Sequence, residues 1–224
     1  MDLCWAYTIV RNEARMLPWW LRYYGSFCER LVVYDDASDD GTPELARAAG
    51  AEVRGLPWSG LDDGESVRFA ESVYPEARGR ARWVAWVDAD ELIDDGYGPI
   101  AETLETLRAR GIRLPQVQGW QMYASEFHSA SEWPNMQLRD LVKRGVRDDN
   151  YSKAVIFDPE LALSFGVGRH STDGRPLEPS TLRLLHFRFM GRAYFLERSR
   201  RNYARLSARA IDSRWGAATY PENA

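Results

Sequence analysis

The chain has 224 residues, a net charge of −4 and 45% hydrophobic side chains, with nine Trp and eleven Tyr. That apolar content is enough for a sizeable core and excludes intrinsic disorder. A sequence pI near 5.5 excludes a general nucleic-acid binder, which carries a basic excess.

Only Cys4 and Cys28 are present, too few for a zinc framework or a disulfide scaffold. Asp2, Arg11, Asn12 and Glu13 interrupt the N-terminal apolar stretch, so no signal peptide is expected. No apolar run approaches the length of a membrane span, and a cytoplasmic location is expected.

Leu3 to Val10 reads as a buried strand, and Glu13 to Phe27 as a helix with apolar residues at helical spacing. Residues 31–34 form a second strand that ends in Asp35-Asp36. Thr42 is expected to cap the next helix, with Pro43 at its first position and Gly50 ending it. Residues 51–54 make a third strand, 65–77 a helix, and 83–87 a fourth strand running into Asp88-Ala89-Asp90-Glu91. This alternation predicts an α/β fold with a mainly parallel sheet. Beyond it lie a helix over 99–110, strands at 117–123, 154–157 and 182–189, and one basic helix from Ala193 to about Ser213. No repeat or linker divides the chain. A single domain over 1–224 is expected, with a nucleotide-binding half (1–95) and an acceptor-side half (96–224).

In an open parallel sheet, ligands bind beyond the carboxyl ends of the strands. Three of the four strands end in polar clusters, bringing Glu13, Asp35, Asp36, Asp88, Asp90 and Glu91 to one edge. Carboxylates gathered there repel one another unless a cation or a hydroxyl-rich ligand balances them. Hard oxygen donors suit Mg²⁺ or Mn²⁺, which bridge protein carboxylates to substrate phosphates.

Tyr7-Thr8-Ile9-Val10-Arg11-Asn12-Glu13, the run from Val33 to Thr42, and Trp86-Val87-Asp88-Ala89-Asp90-Glu91 together resemble glycosyltransferase family 2, in order and spacing, over about the first 95 residues. The resemblance implies a GT-A, Rossmann-like fold with a C-terminal helix, and a nucleotide-diphosphate sugar donor. Asn12 and Glu13 would line the nucleotide pocket, with Lys153 beside it. Asp36 would meet the base or ribose, and Asp88 the ribose or a metal-bound water. Asp90 would hold Mn²⁺ or Mg²⁺, in a site built around Asp88, Asp90 and His186. The cation would assist departure of the diphosphate. Transfer of one hexose with inversion needs a general base. Glu126 is the first candidate, with Asp140 and Asp173 open. His170 is placed near the acceptor or phosphates, and His128 has no assigned role. The Gln-x-x-Arg-Trp signature of processive synthases is absent, which favours single-sugar transfer in surface glycan or polysaccharide synthesis.

Arg192, Arg198, Arg200, Arg201, Arg205, Arg209 and Arg214 make the last helix basic. It reads either as a solvated face or as peripheral contact with a lipid-linked acceptor at the inner face of a membrane. A haloacid-dehalogenase-type phosphohydrolase also uses Asp-x-Asp, normally on its first strand and not its fourth. A receiver domain would leave half the chain unused, and a sugar-nucleotide pyrophosphorylase would want a Gly-rich loop after the first strand. A catalytically inactive nucleotide-sugar-binding module is the non-enzyme alternative.

Overall fold

A computed structural model describes residues 1–96 and 98–212. The central sheet contains β1 (Asp2–Val10), β2 (Arg30–Asp35), β3 (Glu52–Gly55) and β4 (Ala81–Trp86), joined by helices α1 (Leu17–Tyr24), α2 (Thr42–Ala48) and α3 (Asp63–Val73). Its order is β3-β2-β1-β4, and these four strands are all parallel. The α/β class and the mainly parallel sheet agree with the sequence expectation.

The sheet is buried on both faces because its side chains alternate between two cores. Cys4, Ala6, Val33, Trp83 and Ala85 pack with Trp19, Trp20 and Tyr24 of α1. Trp5, Tyr7, Val32, Tyr34 and Trp86 point the other way and pack with Val67 and Ala70 of α3.

After β4 the chain turns through Asp88-Ala89-Asp90 and starts a second sheet with β5 (Glu91–Asp94). Helix α4 (Ile100–Ala109), β6 (Gln118–Ala124), the single turn α5 (Leu138–Leu141), β7 (Arg144–Arg147) and β8 (Ile156–Phe157) follow. β9 (Arg183–Met190), α6 (Arg192–Tyr203) and α7 (Ala208–Asp212) complete the described chain. The second sheet has the order β5-β9-β6-β7. β8 crosses back and pairs antiparallel with β4, at the edge of the first sheet.

Three local expectations are corrected. The first helix begins at Leu17 and not Glu13, because Pro18 fits its first turn and the preceding residues form tight turns on the Glu13 carbonyl. Thr42 does not cap α2. Gly41 holds that position with φ of 84°, while the Thr42 hydroxyl accepts the Glu13 N–H at 2.9 Å. The C-terminal helix is not continuous: α6 ends at Tyr203, and Leu61 and Leu206 form a β-bridge that pulls the chain onto the loop before α3. Its reach beyond Asp212, with Arg214, lies outside the described residues, as does the Arg209 side chain.

Candidate active site

The carboxyl ends of β1, β2 and β4 reach one edge of the central sheet. Backbone pairing sets this convergence, since Asp36 N–H bonds Val10 O at 2.9 Å and Val87 N–H bonds Tyr7 O at 3.1 Å. The turns there are tight. Asn12 and Ala37 have φ of 53° and 50°, and Arg169, which faces the same edge, has φ of 61°. Left-handed backbone at non-glycine residues stores strain and clusters at functional sites. A cleft of about 250 Å³ opens at this edge, lined by Glu13, Asp88, Asp90, Lys153, Arg169, His186 and Arg198 among others.

Asp90 is buried at the seam between the sheets. Its carbonyl accepts Phe187 N–H at 2.8 Å, and Glu91 pairs with His186 in the β5–β9 ladder. Strand pairing thus brings His186 Nε2 to 3.2 Å from Asp90 Oδ2.

A hydrogen-bond relay fixes the His186 ring. The carboxylate of Asp148 can only accept, so it takes the Gln121 amide N–H at 3.1 Å. That orients Gln121 Oε1 toward His186 Nδ1, 2.8 Å away, and places the ring proton on Nδ1. Nε2 then lies on the Asp90 side of the ring, where it offers a lone pair in the neutral imidazole and a proton in the charged one. Tyr151 stacks on the imidazole at a centroid separation of 4.1 Å, with its hydroxyl 3.1 Å from Nε2. Gly119 permits this packing, because a Cβ there would lie 2.5 Å from the Tyr151 carbonyl carbon and 2.6 Å from Asp148 O.

With Nε2 unprotonated, two acceptor groups face each other and need a cation between them. An oxygen and an imidazole nitrogen, with the second donor oriented by an outer hydrogen bond, fit a divalent cation in type and in support. Among the described residues, no group of three or more His, Cys, Asp or Glu forms a closed metal cage. An open site of this kind suits an ion that completes its shell with phosphate and water.

In this structure the positive charge at Asp90 comes from Arg198. The guanidinium Nη1 bonds Asp90 Oδ2, while its Nε donates to Glu13 Oε1 at 2.9 Å. Burial acts to raise the Asp90 carboxyl, but Arg198 and His186 outweigh it and hold the group well below the usual carboxylate range. Glu13 goes the other way, pushed up by burial against the pull of Arg198 and Arg201. Burial acts to lower the Lys153 ammonium, but Glu91 and Asp88 raise it above the ordinary lysine value.

The remaining expected site residues divide into those in the cleft and those outside it. Lys153 lies in the cleft, 2.6 Å from Glu91 Oε1 and 3.7 Å from Asp88 Oδ2. Arg169 also approaches Asp88, at 3.4 Å. Asp36 is buried beneath the cleft, bonded by Arg205 and by Gly60 N–H. Asn12 exchanges hydrogen bonds with Asp39 and lines a neighbouring hollow.

The base candidates fall outside the cleft. Glu126 is exposed past the end of β6, with its backbone against Gly191. Asp140 closes a capping box on α5 and lines a separate cavity, and Asp173 is exposed. His170 is exposed with Nδ1 3.1 Å from Ser152 O, and His128 accepts the Trp19 indole N–H through its carbonyl.

No family model matches the chain. A TPR repeat-containing protein of Synechococcus elongatus is 33% identical over 98 residues, which is 43% of this chain and 23% of that protein. Among solved structures, glucosyl-3-phosphoglycerate synthase from Mycobacterium tuberculosis, in complex with Mn²⁺, uridine diphosphate and glucosyl-3-phosphoglycerate, is similar with a TM-score of 0.36 and 17% identity. That similarity covers 54% of this chain and 44% of the synthase. Mannosyl-3-phosphoglycerate synthase from Rubrobacter xylanophilus has a TM-score of 0.38 and 22% identity, covering 56% of this chain and 42% of its own. The chain therefore spans about a quarter of the curated relative and under half of each of these solved chains.

Several residues that line the cleft or orient its side chains carry no motif in the sequence. Gln121 becomes relevant only through the pairing of β6 with β9, Asp148 through the pairing of β6 with β7, and Tyr151 through the close approach at Gly119. The expected solvated face of the last helix is corrected too. Arg198, Arg201 and Arg205 turn inward onto Asp90, Glu13 and Asp36, leaving Arg192 and Arg200 exposed. No helix among the described residues is long and apolar enough to cross a membrane.

Proposed function

We propose that this chain is a glycosyltransferase that takes one sugar from a nucleotide-diphosphate donor, with Mn²⁺ or Mg²⁺ as cofactor. The observation that carries this reading is the Asp90–His186 pair at the carboxyl edge of a parallel sheet, oriented by the Gln121–Asp148 relay. Asp90 and His186 would hold the cation, with Asp88 beside it for the ribose or a bound water. The bound cation would neutralise the departing diphosphate.

The protein's own side chains supply the rest of the donor site. Lys153, Arg169 and Arg188 line the cleft and favour a polyanionic ligand in a partly water-excluded setting. Asp36 is covered by Gly60 and Arg205, so it serves a nucleotide by fixing these two cleft residues. The acceptor is a hydroxyl on a glycan, a lipid-linked sugar or a small molecule, and transfer proceeds with inversion. With Glu126 outside the cleft, the acceptor proton is taken by another group.

The test is calorimetry with uridine, guanosine, cytidine and thymidine diphosphate sugars, each with and without Mn²⁺. Binding of at least one donor, strongly metal-dependent, is expected. Absence of metal-dependent binding for all four overturns the reading.

A further inference from the structure

Arg198, Arg201 and Arg205 occupy one face of the C-terminal segment, at spacings of three and four residues. Each meets a carboxylate from the end of a different strand region: Asp90 after β4, Glu13 after β1, and Asp36 after β2. A row of positive charge thus lies across the acidic edge that the donor must enter. Arg198 is the decisive member, because it bonds the same Asp90 oxygen that lies 3.2 Å from His186 Nε2.

The two ends of the Arg198 contact are separable. Nη1 reaches Asp90, whereas Nε is held by Glu13 at 2.9 Å, and Arg201 reinforces that Glu13 oxygen at 3.1 Å. Guanidinium can therefore leave Asp90 by side-chain rotation while it stays tethered through Glu13. Gly191, with φ of 79°, joins β9 to α6 and fixes where the helix starts relative to His186.

We propose that Arg198 is a resident counter-cation, which keeps Asp90 closed to a bare divalent ion and releases it only to an ion arriving with a diphosphate. This rests on the glycosyltransferase reading and adds a coupling rule to it. A divalent ion entering alone would sit beside a guanidinium at a few ångströms, and like charges at that distance repel strongly in a partly buried site. A diphosphate brings enough negative charge to satisfy both cations. Arg198, once off Asp90, then donates to a phosphate oxygen, a contact for which the guanidinium fork is suited. Asp90 passes from one cation to another, and no covalent bond forms or breaks.

The experiment titrates Mn²⁺ into wild-type protein and Arg198→Gln, following free Mn²⁺ by electron paramagnetic resonance. Each titration is run alone and with an equimolar mixture of uridine, guanosine, cytidine and thymidine diphosphates. Wild-type protein should bind Mn²⁺ weakly alone and at least tenfold more tightly with the nucleotides. Arg198→Gln should bind Mn²⁺ alone at least tenfold more tightly than wild type, and the gain on adding nucleotides should shrink several-fold. Arg198→Lys, which keeps the charge on a single point donor, should fall between the two, and it serves as the reporter if the glutamine variant is not folded by circular dichroism. Metal-alone affinity that is unchanged or weaker in the folded variants, with nucleotide-dependent binding intact in wild type, overturns the counter-cation role and leaves the glycosyltransferase reading standing. Wild-type protein that binds no Mn²⁺ with any of the nucleotides overturns both.

Discussion

Lys153 Nζ lies 2.6 Å from Glu91 Oε1, with both side chains buried under the Asp88–Asp90 turn. The other Glu91 oxygen accepts the Asp88 backbone N–H at 3.0 Å, so one carboxylate joins the turn to the lysine. Glu91 is therefore a scaffold of the site, and Lys153 holds the turn as well as facing the cleft.

Removing one member of this pair leaves the other charged and buried. Glu91→Gln and Lys153→Met should each lower stability by about 3–5 kcal/mol. The combined Glu91→Gln/Lys153→Met variant should lose less than the sum, because neither charge is left alone. Urea unfolding of the three variants checks this, and additive losses would show that the pair is not coupled.

Gln121→Met keeps most of the side-chain volume but removes the acceptor that places the His186 proton on Nδ1. Outer-shell partners of this kind are worth about 10–100-fold in metal affinity. Nucleotide affinity in the presence of Mn²⁺ should fall by that order, with a small change in melting temperature. Calorimetry beside a thermal melt on the same preparation decides it. A sharp loss of stability with affinity untouched would make His186 a packing residue only.

Glu126 lies exposed beyond β6, outside the cleft. Glu126→Gln should retain transferase turnover within about twofold of wild type, since a lost general base costs about 10²–10⁴-fold. A product-release assay with the donor found by calorimetry is the measurement. A hundredfold loss would return Glu126 to the reaction.

Asp158 accepts hydrogen bonds from Arg113 at 2.8 Å, Arg108 at 3.0 Å and Glu160 N–H at 2.9 Å. Burial acts to raise its carboxyl, yet these donors outweigh it and hold the group below the usual range. A lowered folded-state value means that this stabilisation is fully present above the unfolded value of about 3.9. It disappears as pH falls through the lower folded value. Asp158→Asn should therefore cost about 1–3 kcal/mol at pH 7, and the gap from wild type should close below about pH 4. Urea midpoints measured from pH 2 to pH 7 test the sign, and a gap that stays constant in acid would contradict it.

The acidic edge is legible because it is written in contiguous sequence. Apolar runs end in Asn12-Glu13, Asp35-Asp36 and Asp88-Ala89-Asp90, and parallel pairing carries these ends to one place. The basic helix was misread because charge patterns show periodicity and not partners. Arg198 meets carboxylates 108 and 185 residues away, and no local window contains them. Thr42 shows the same effect on a smaller scale. Its sequence suits a helix cap, but the Glu13 N–H, brought close by the β1–β2 pairing, takes the hydroxyl. Glu126 carries no local signal of its surroundings: β6 belongs to the second sheet, and Glu126 lies exposed past its end, not among the residues that line the cleft.

β5 follows the Asp88–Asp90 turn without a spacer and pairs with β9 in fixed register, Glu91 opposite His186 and Leu92 opposite Leu185. Strand side chains alternate faces with a period of two, so sliding this ladder by one position inverts every side chain on it. A single residue inserted between Asp90 and Glu91 would turn Glu91 away from Lys153 or carry Asp90 away from His186. Substitutions at exposed positions on the rim can be absorbed by rotamers, whereas a change in the number of residues here cannot. Descendants of this sequence are thus free to diversify the rim of the cleft, while the chain length from Trp86 to Asp94 stays locked by the strand pairing.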